Sequence, residues 1–101
     1  SIDSANGLEA RLLRRAFERR AIGATIPCRR GTMREVVRLR DLSQHGARLS
    51  SVAPLRPGVS IWLQIGNLRP IEALIVWTAG LEAGCIFTAP LHAAVFDMLT
   101  L

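Results

Sequence analysis

The stretch EVVRLRDLSQHGARLSS, residues 35–51, decides the fold. Through "EVVRLRDL" the apolar Val37 and Leu39 alternate with Arg38 and Arg40, a period of two that marks a strand with one buried face. "ARLSS" resumes as a second short strand. Between them the chain reverses, and an acid, a hydroxyl and a glycine stand at Asp41, Ser43 and Gly46. Such residues at a reversal commonly cap local backbone donors, with glycine supplying backbone freedom, so turn chemistry alone accounts for the segment in isolation.

The same period recurs on both sides. Ile22, Ala24, Ile26 and Cys28 point one way, with Thr25, Pro27 and Arg29 opposite, and "RRGT" makes a turn. Pro27 offers no backbone donor, which places its strand at an edge or at a bulge. After the loop "PLRPG", "VSIWLQI" sets Val59, Ile61, Leu63 and Ile65 on one face. Gly66-Asn67 then reads as a two-residue hairpin into "RPIEALIVW", followed by the turn "TAGLEAG" and the brief strand "CIF". Two helical stretches flank the strands. Leu8, Leu12, Leu13 and Phe17 recur at helical spacing, and Pro90 opens a helix with Leu91, Val95, Met98 and Leu99 on one face. Six short strands with hairpin-length links predict an all-β fold, a small six-stranded antiparallel barrel with a helix at each end. Residues 1–20 form a basic leading segment, and 21–101 the barrel with its closing helix.

At 101 residues, half of them hydrophobic, the chain has one core. Its charge is uneven. Residues 1–40 hold ten arginines against four acids, whereas 41–101 hold three arginines against four acids. All thirteen basic residues are arginine, whose planar fork suits phosphates and guanine edges, so the leading half is expected to meet an anion. Cys28 and Cys85 lie in apolar strands outside any Cys/His cluster, and both read as buried free thiols rather than zinc ligands or a disulfide. No carboxylate pair, nucleophile–base arrangement or phosphate-cradling glycine loop is visible, so no enzyme, cofactor or metal is expected. No apolar run approaches membrane-spanning length, and no apolar secretory stretch leads the chain; a cytoplasmic domain is the expectation. Trp62 is expected to pack beneath a helix, Trp77 in the core or at a barrel end, and His45, Arg29 and Arg30 to be solvated.

Two local patterns stand in order: RxxxR at Arg15 and Arg19, just before the first strand, and DxSxxG at Asp41, Ser43 and Gly46. Arg11 and Arg15 repeat the first spacing. With "ARL" after the glycine, a Pro-Gly turn before a strand, "ALIVW" ending at Trp77, and Gly84 to Phe87 leading into the last helix, the chain resembles the PilZ domain family over Arg14 to Leu99. That resemblance implies a six-stranded antiparallel barrel that binds the bacterial second messenger cyclic di-GMP. It implies Arg15, Arg19, Asp41, Ser43 and Gly46 as ligand contacts, with Arg14 and Arg20 as further candidates. Arginine forks engage guanine O6 and N7 and stack on the purine, while a carboxylate accepts from the guanine N1–H and amino group. Two other functions fit less well. An adaptor of the same fold acting only through protein contacts, in motility or pilus assembly, has no need of the intact motifs. A nonspecific nucleic-acid binder lacks tyrosine and tryptophan in its basic half and has no use for the Asp/Ser/Gly grouping.

Overall fold

The computed structural model describes residues 18–101. Six strands run in order: β1 (Arg20–Arg30), β2 (Met33–Leu42), β3 (Gly46–Ser51), β4 (Ser60–Leu63), β5 (Ile71–Ala79) and β6 (Glu82–Phe87), followed by the helix α1 (Ala93–Leu99). They close into an antiparallel barrel in the order β1-β2-β3-β6-β5-β4. This is the fold that the alternating pattern predicts. The leading helix expected at Leu8–Phe17, with Arg11, Arg14 and Arg15, lies outside the described residues.

Alternation fills the barrel. Val37, Leu39 and Leu42 of β2, Leu49 of β3, Ile61 and Leu63 of β4 and Ile75 of β5 are almost wholly buried, while Arg38 and Arg40 stay exposed. α1 contributes Phe96, which has no exposed surface and joins this core. A seven-residue helix is too short to persist alone, so its apolar face holds it in place. His92 caps it, accepting a hydrogen bond at Nδ1 from the amide of Ala94 at 3.2 Å. The expected apolar face of α1 needs correction. Leu91, Val95 and Leu99 pack on the core as expected, but Met98 points into solvent and Phe96, which the expected face left out, is buried most deeply.

Other local expectations also change. Gly66-Asn67 makes the expected turn, with positive φ at Gly66 and the Leu68 amide donating to the Ile65 carbonyl at 3.2 Å, but strand pairing stops short of it, so the connection from Leu63 to Ile71 is longer than a two-residue hairpin. Pro70 has no amide to donate and restricts Arg69, so pairing resumes only at Ile71, opposite Leu63. The β5–β6 turn is tighter than expected, only Gly80 and Leu81. Ala24 is exposed, although it pairs with the buried Leu39 and so shares the face of Ile26 and Cys28; a bulge between Ala21 and Ala24 precedes it. Pro27 lies at neither a free edge nor that bulge. It sits where β1 meets β4 over just two residue pairs, and its carbonyl accepts from Gln64 at 3.0 Å.

Both tryptophans face outward. A bulge between Ile75 and Trp77 turns Trp77 to the outer wall, where its indole covers Gly84; a Cβ there would lie 2.0 Å from the indole nitrogen. Trp62 packs beneath the Arg29 guanidinium, 5.7 Å from its ring centre, and not beneath a helix. Arg29 and Arg30 are therefore engaged: Arg30 pairs with Glu35 at 3.3 Å.

Two outcomes test this packing. Phe96→Ala should lower unfolding stability by about 3–5 kcal/mol in denaturant titration, the range for losing a buried aromatic ring. Cys28 and Cys85 are both buried free thiols, as expected. Burial pushes Cys28 up to about 11 and Cys85 up to about 12 from an ordinary value of 9.0. The unfolded chain ionises these thiols near pH 9 while the folded barrel keeps them protonated, so their contribution is complete below that pH and falls as pH rises toward 11–12. Denaturant midpoints at pH 8 and 10.5 should differ, and the Cys28→Ala/Cys85→Ala double variant should flatten that difference.

Candidate functional site

The site grows from the β1–β2 register. Ala21 pairs with Asp41, which brings the start of β1 beside the end of β2. Arg19, immediately before β1, donates from its guanidinium to Asp41 Oδ1 at 2.9 Å. Asp41 pairs in turn with Arg48 on β3, whose Nε donates to Oδ2 at 2.9 Å. One carboxylate thus lies between two guanidiniums, its side chain only 15% exposed. The row continues around the wall from Arg48 to Gly84 and from Gly84 to Trp77.

The reversal after Asp41 is built from its own polar groups. The Ser43 amide donates to the Gly46 carbonyl at 2.9 Å, and the Gly46 amide donates to Ser43 Oγ at 3.1 Å. Ser43 is buried. The segment is fastened to the end of β6 and the connection beyond it as well: the Phe87 amide donates to the His45 carbonyl at 2.8 Å and the Leu91 amide to the Gln44 carbonyl at 2.7 Å. Gly46 does not have positive φ, so turn freedom is not its role. A Cβ on it would stand 2.1 Å from the Cys85 carbonyl oxygen, so glycine is what lets β3 lie against β6 at this point. His45 is half-buried, not fully solvated as expected.

Arg19, Ser43, His45, Gly46, Cys85 and Ile86 line one open cleft of about 310 Å³. Of the expected contacts, Arg19, Asp41, Ser43 and Gly46 are therefore brought together, while Arg14 and Arg15 lie outside the described residues. Arg20 turns the other way. It donates to Thr100 Oγ1 at 2.6 Å, pairs with Glu18 at 3.2 Å and Asp97 at 3.4 Å, and lies 4.8 Å above the Phe96 ring. The hydrogen bond to the Glu18 carboxylate raises its pKa, and the side chain serves to fasten α1 to the barrel. Arg48 was missed in the sequence because its role depends on cross-strand pairing; position 48, two residues after the motif glycine, was its only trace. Among the described residues no cluster of His, Cys, Asp and Glu could hold a metal, and no helix is long and apolar enough to cross a membrane.

A consequence for mutagenesis is that Gly46→Ala should act on the fold as well as on the cleft. Its Cβ meets backbone, which has little room to yield, so a loss of about 1–3 kcal/mol is expected in denaturant unfolding. An unchanged unfolding midpoint would contradict the close β3–β6 approach.

No curated protein shows significant similarity to this chain. A family model described as the PilZ domain matches residues 13–99, spanning the arginine segment, the reversal, the barrel and α1. The chain belongs to the PilZ domain family, whose members are ligand-binding domains rather than enzymes and generally bind cyclic di-GMP.

Proposed function

We propose that this domain is a cyclic di-GMP receptor and that the cleft beside Asp41 is where the nucleotide binds. The placement of Arg19 against Asp41, on a cleft shared with Ser43 and Gly46, carries this reading. Residues 1–20 supply one half of the clamp, with Arg15 and Arg19 as its principal arginines and Arg14 nearby in the chain. Residues 21–101 supply the fixed half. A cytoplasmic site of action goes with this ligand.

Magnitudes favour an exchange. Arg19 is more than half exposed, so its pair with Asp41 is worth about 0–1 kcal/mol. A bidentate arginine–guanine contact is worth about 1–3 kcal/mol, and a guanidinium over the purine face adds about 0.5–2 kcal/mol. A ligand can therefore draw Arg19 from Asp41 to guanine O6 and N7 at a net gain. Asp41 Oδ1 then accepts from the guanine N1–H and amino group, while Arg48 retains Oδ2 and keeps the carboxylate oriented. Ser43 works mainly through the shape of the reversal, because its hydroxyl already bonds Gly46.

A second reading, an adaptor working through protein contacts alone, draws on one observation. Leu74 and Ile86 are cross-strand partners and both exposed, with Val76 and Trp77 exposed alongside on β5. Ile86 also lines the Arg19 cleft, so this apolar surface borders the candidate site.

Isothermal titration calorimetry separates the two. A receptor binds cyclic di-GMP stoichiometrically and ignores GTP and cyclic GMP. Arg19→Ala and Asp41→Asn should each weaken it at least tenfold while the proteins remain folded by circular dichroism. The absence of heat with cyclic di-GMP would leave the adaptor.

A further inference from the structure

The outer face of the β1–β2 hairpin carries a second arginine group that begins at the hairpin's far end and runs back along β2 toward Asp41. Arg29, Arg34, Arg38 and Arg40 are all exposed on its outer face. Arg29 and Arg34 are direct cross-strand partners, a like-charge pairing that opposes folding unless an anion compensates it. Among the described residues Arg34, Arg38 and Arg40 make no ion pair. Arg29 lies nine residues along β1 from Arg20, about 30 Å on an extended strand, so the Arg29–Arg34 end of this group is remote from the candidate nucleotide cleft, while Arg40 adjoins Asp41.

β4 brings Trp62 to this group as the cross-strand partner of Arg29. Trp62, Arg29, Arg34, Glu35, Pro27 and Pro70 border a cleft of about 290 Å³. Glu35 gives one oxygen to Arg30 at 3.3 Å; its other, Oε1, is buried and accepts from nothing. Read along the chain, the basic half has no tryptophan or tyrosine to stack a base. The closed barrel supplies one from the other half.

We infer that this face binds single-stranded nucleic acid. Arg34, Arg38 and Arg40 follow one extended strand, with about 13 Å between the first two, and track a phosphate backbone by charge. One base enters the cleft and stacks on Trp62, with Arg29 adding a cationic surface to that stack. Glu35 Oε1 accepts from an exocyclic amine of that base. A lipid surface fits less well, because Trp62 is half-buried in a recess rather than displayed on a projecting surface. An acidic peptide would satisfy the arginines but leaves the flat ring and the orphan carboxylate oxygen without a counterpart.

The test is fluorescence anisotropy with a labelled mixed-sequence single-stranded 15-mer, using the whole chain at several salt concentrations. Binding should fall with salt with a slope of about −2 for three phosphate contacts. Trp62→Leu should weaken it by roughly tenfold, and Trp62→Phe should recover part of that loss. Arg34→Ala/Arg38→Ala should weaken binding and reduce the slope by about 1.4. Thermal melts establish that the variants are folded, and the two exposed arginine positions keep the test decisive if Trp62→Leu fails to fold. The inference is overturned if the wild-type chain does not bind at low salt. It is equally overturned if heparin, duplex of the same length or phosphatidylserine vesicles bind as tightly as the single strand, or if binding is indifferent to these substitutions.

Discussion

The contact on which this barrel depends most is the approach of Gly46 to the Cys85 carbonyl. β3 and β6 are not consecutive in sequence, and their pairing is one of the two non-sequential contacts, with β1–β4, that close the sheet. A side chain at position 46 would collide with the β6 backbone just where the ladder begins. The same closeness fixes the reversal: Ser43 folds back on Gly46, and His45 and Gln44 accept amides from Phe87 and Leu91. Asp41 is thereby held on a frame with bonds on both sides. The glycine that would be read as ligand clearance is first a condition of closing the sheet.

From that frame the site follows by registry. Because β2 is flanked by β1 and β3, Asp41 has Ala21 on one side and Arg48 on the other. Arg19 and Arg48 arrive from opposite directions and each takes one carboxylate oxygen. The two pairs differ in kind. Arg19 enters before the first strand and is more than half exposed, so its contact opens at little cost. Arg48 belongs to the wall and moves with it. A carboxylate with one exchangeable and one fixed partner suits a clamp to which Arg19 contributes from just before β1. Arg20, adjacent to Arg19, is committed elsewhere by Thr100, Asp97 and Phe96, and so ties α1 to the beginning of β1.

Much of this was legible in the sequence, for physical reasons. Period-two alternation at 36–40 and 59–65 identified the inward faces, since one buried face imposes that pattern wherever it occurs. The ordered arginine and Asp/Ser/Gly motifs pointed to the family and to the meeting of Arg19 and Asp41. What escaped was set by non-local geometry. The β4–β5 connection lengthened because Pro70 cannot pair, although Gly66-Asn67 makes its expected turn. A bulge reversed the facing of Trp77 and leaves no mark in residue type. Arg48 and the Arg29–Trp62 stack arise from strands brought together only on closure. Phe96 was hidden because a seven-residue helix gives too few turns to fix its apolar phase.

The central claim is that a purine dinucleotide is recognised where Arg19, Asp41 and Arg48 converge. Its most direct test is nuclear magnetic resonance of the uniformly labelled chain, following the Asp41 carboxyl carbon, the Arg19 and Arg48 Nε–H signals and both indole N–H signals during addition of cyclic di-GMP. Saturable shifts at Asp41, Arg19 and the 43–46 amides, with the Trp62 indole unmoved, are the result expected here. Shifts centred on Trp62, or none at Asp41 at saturating ligand, would contradict it.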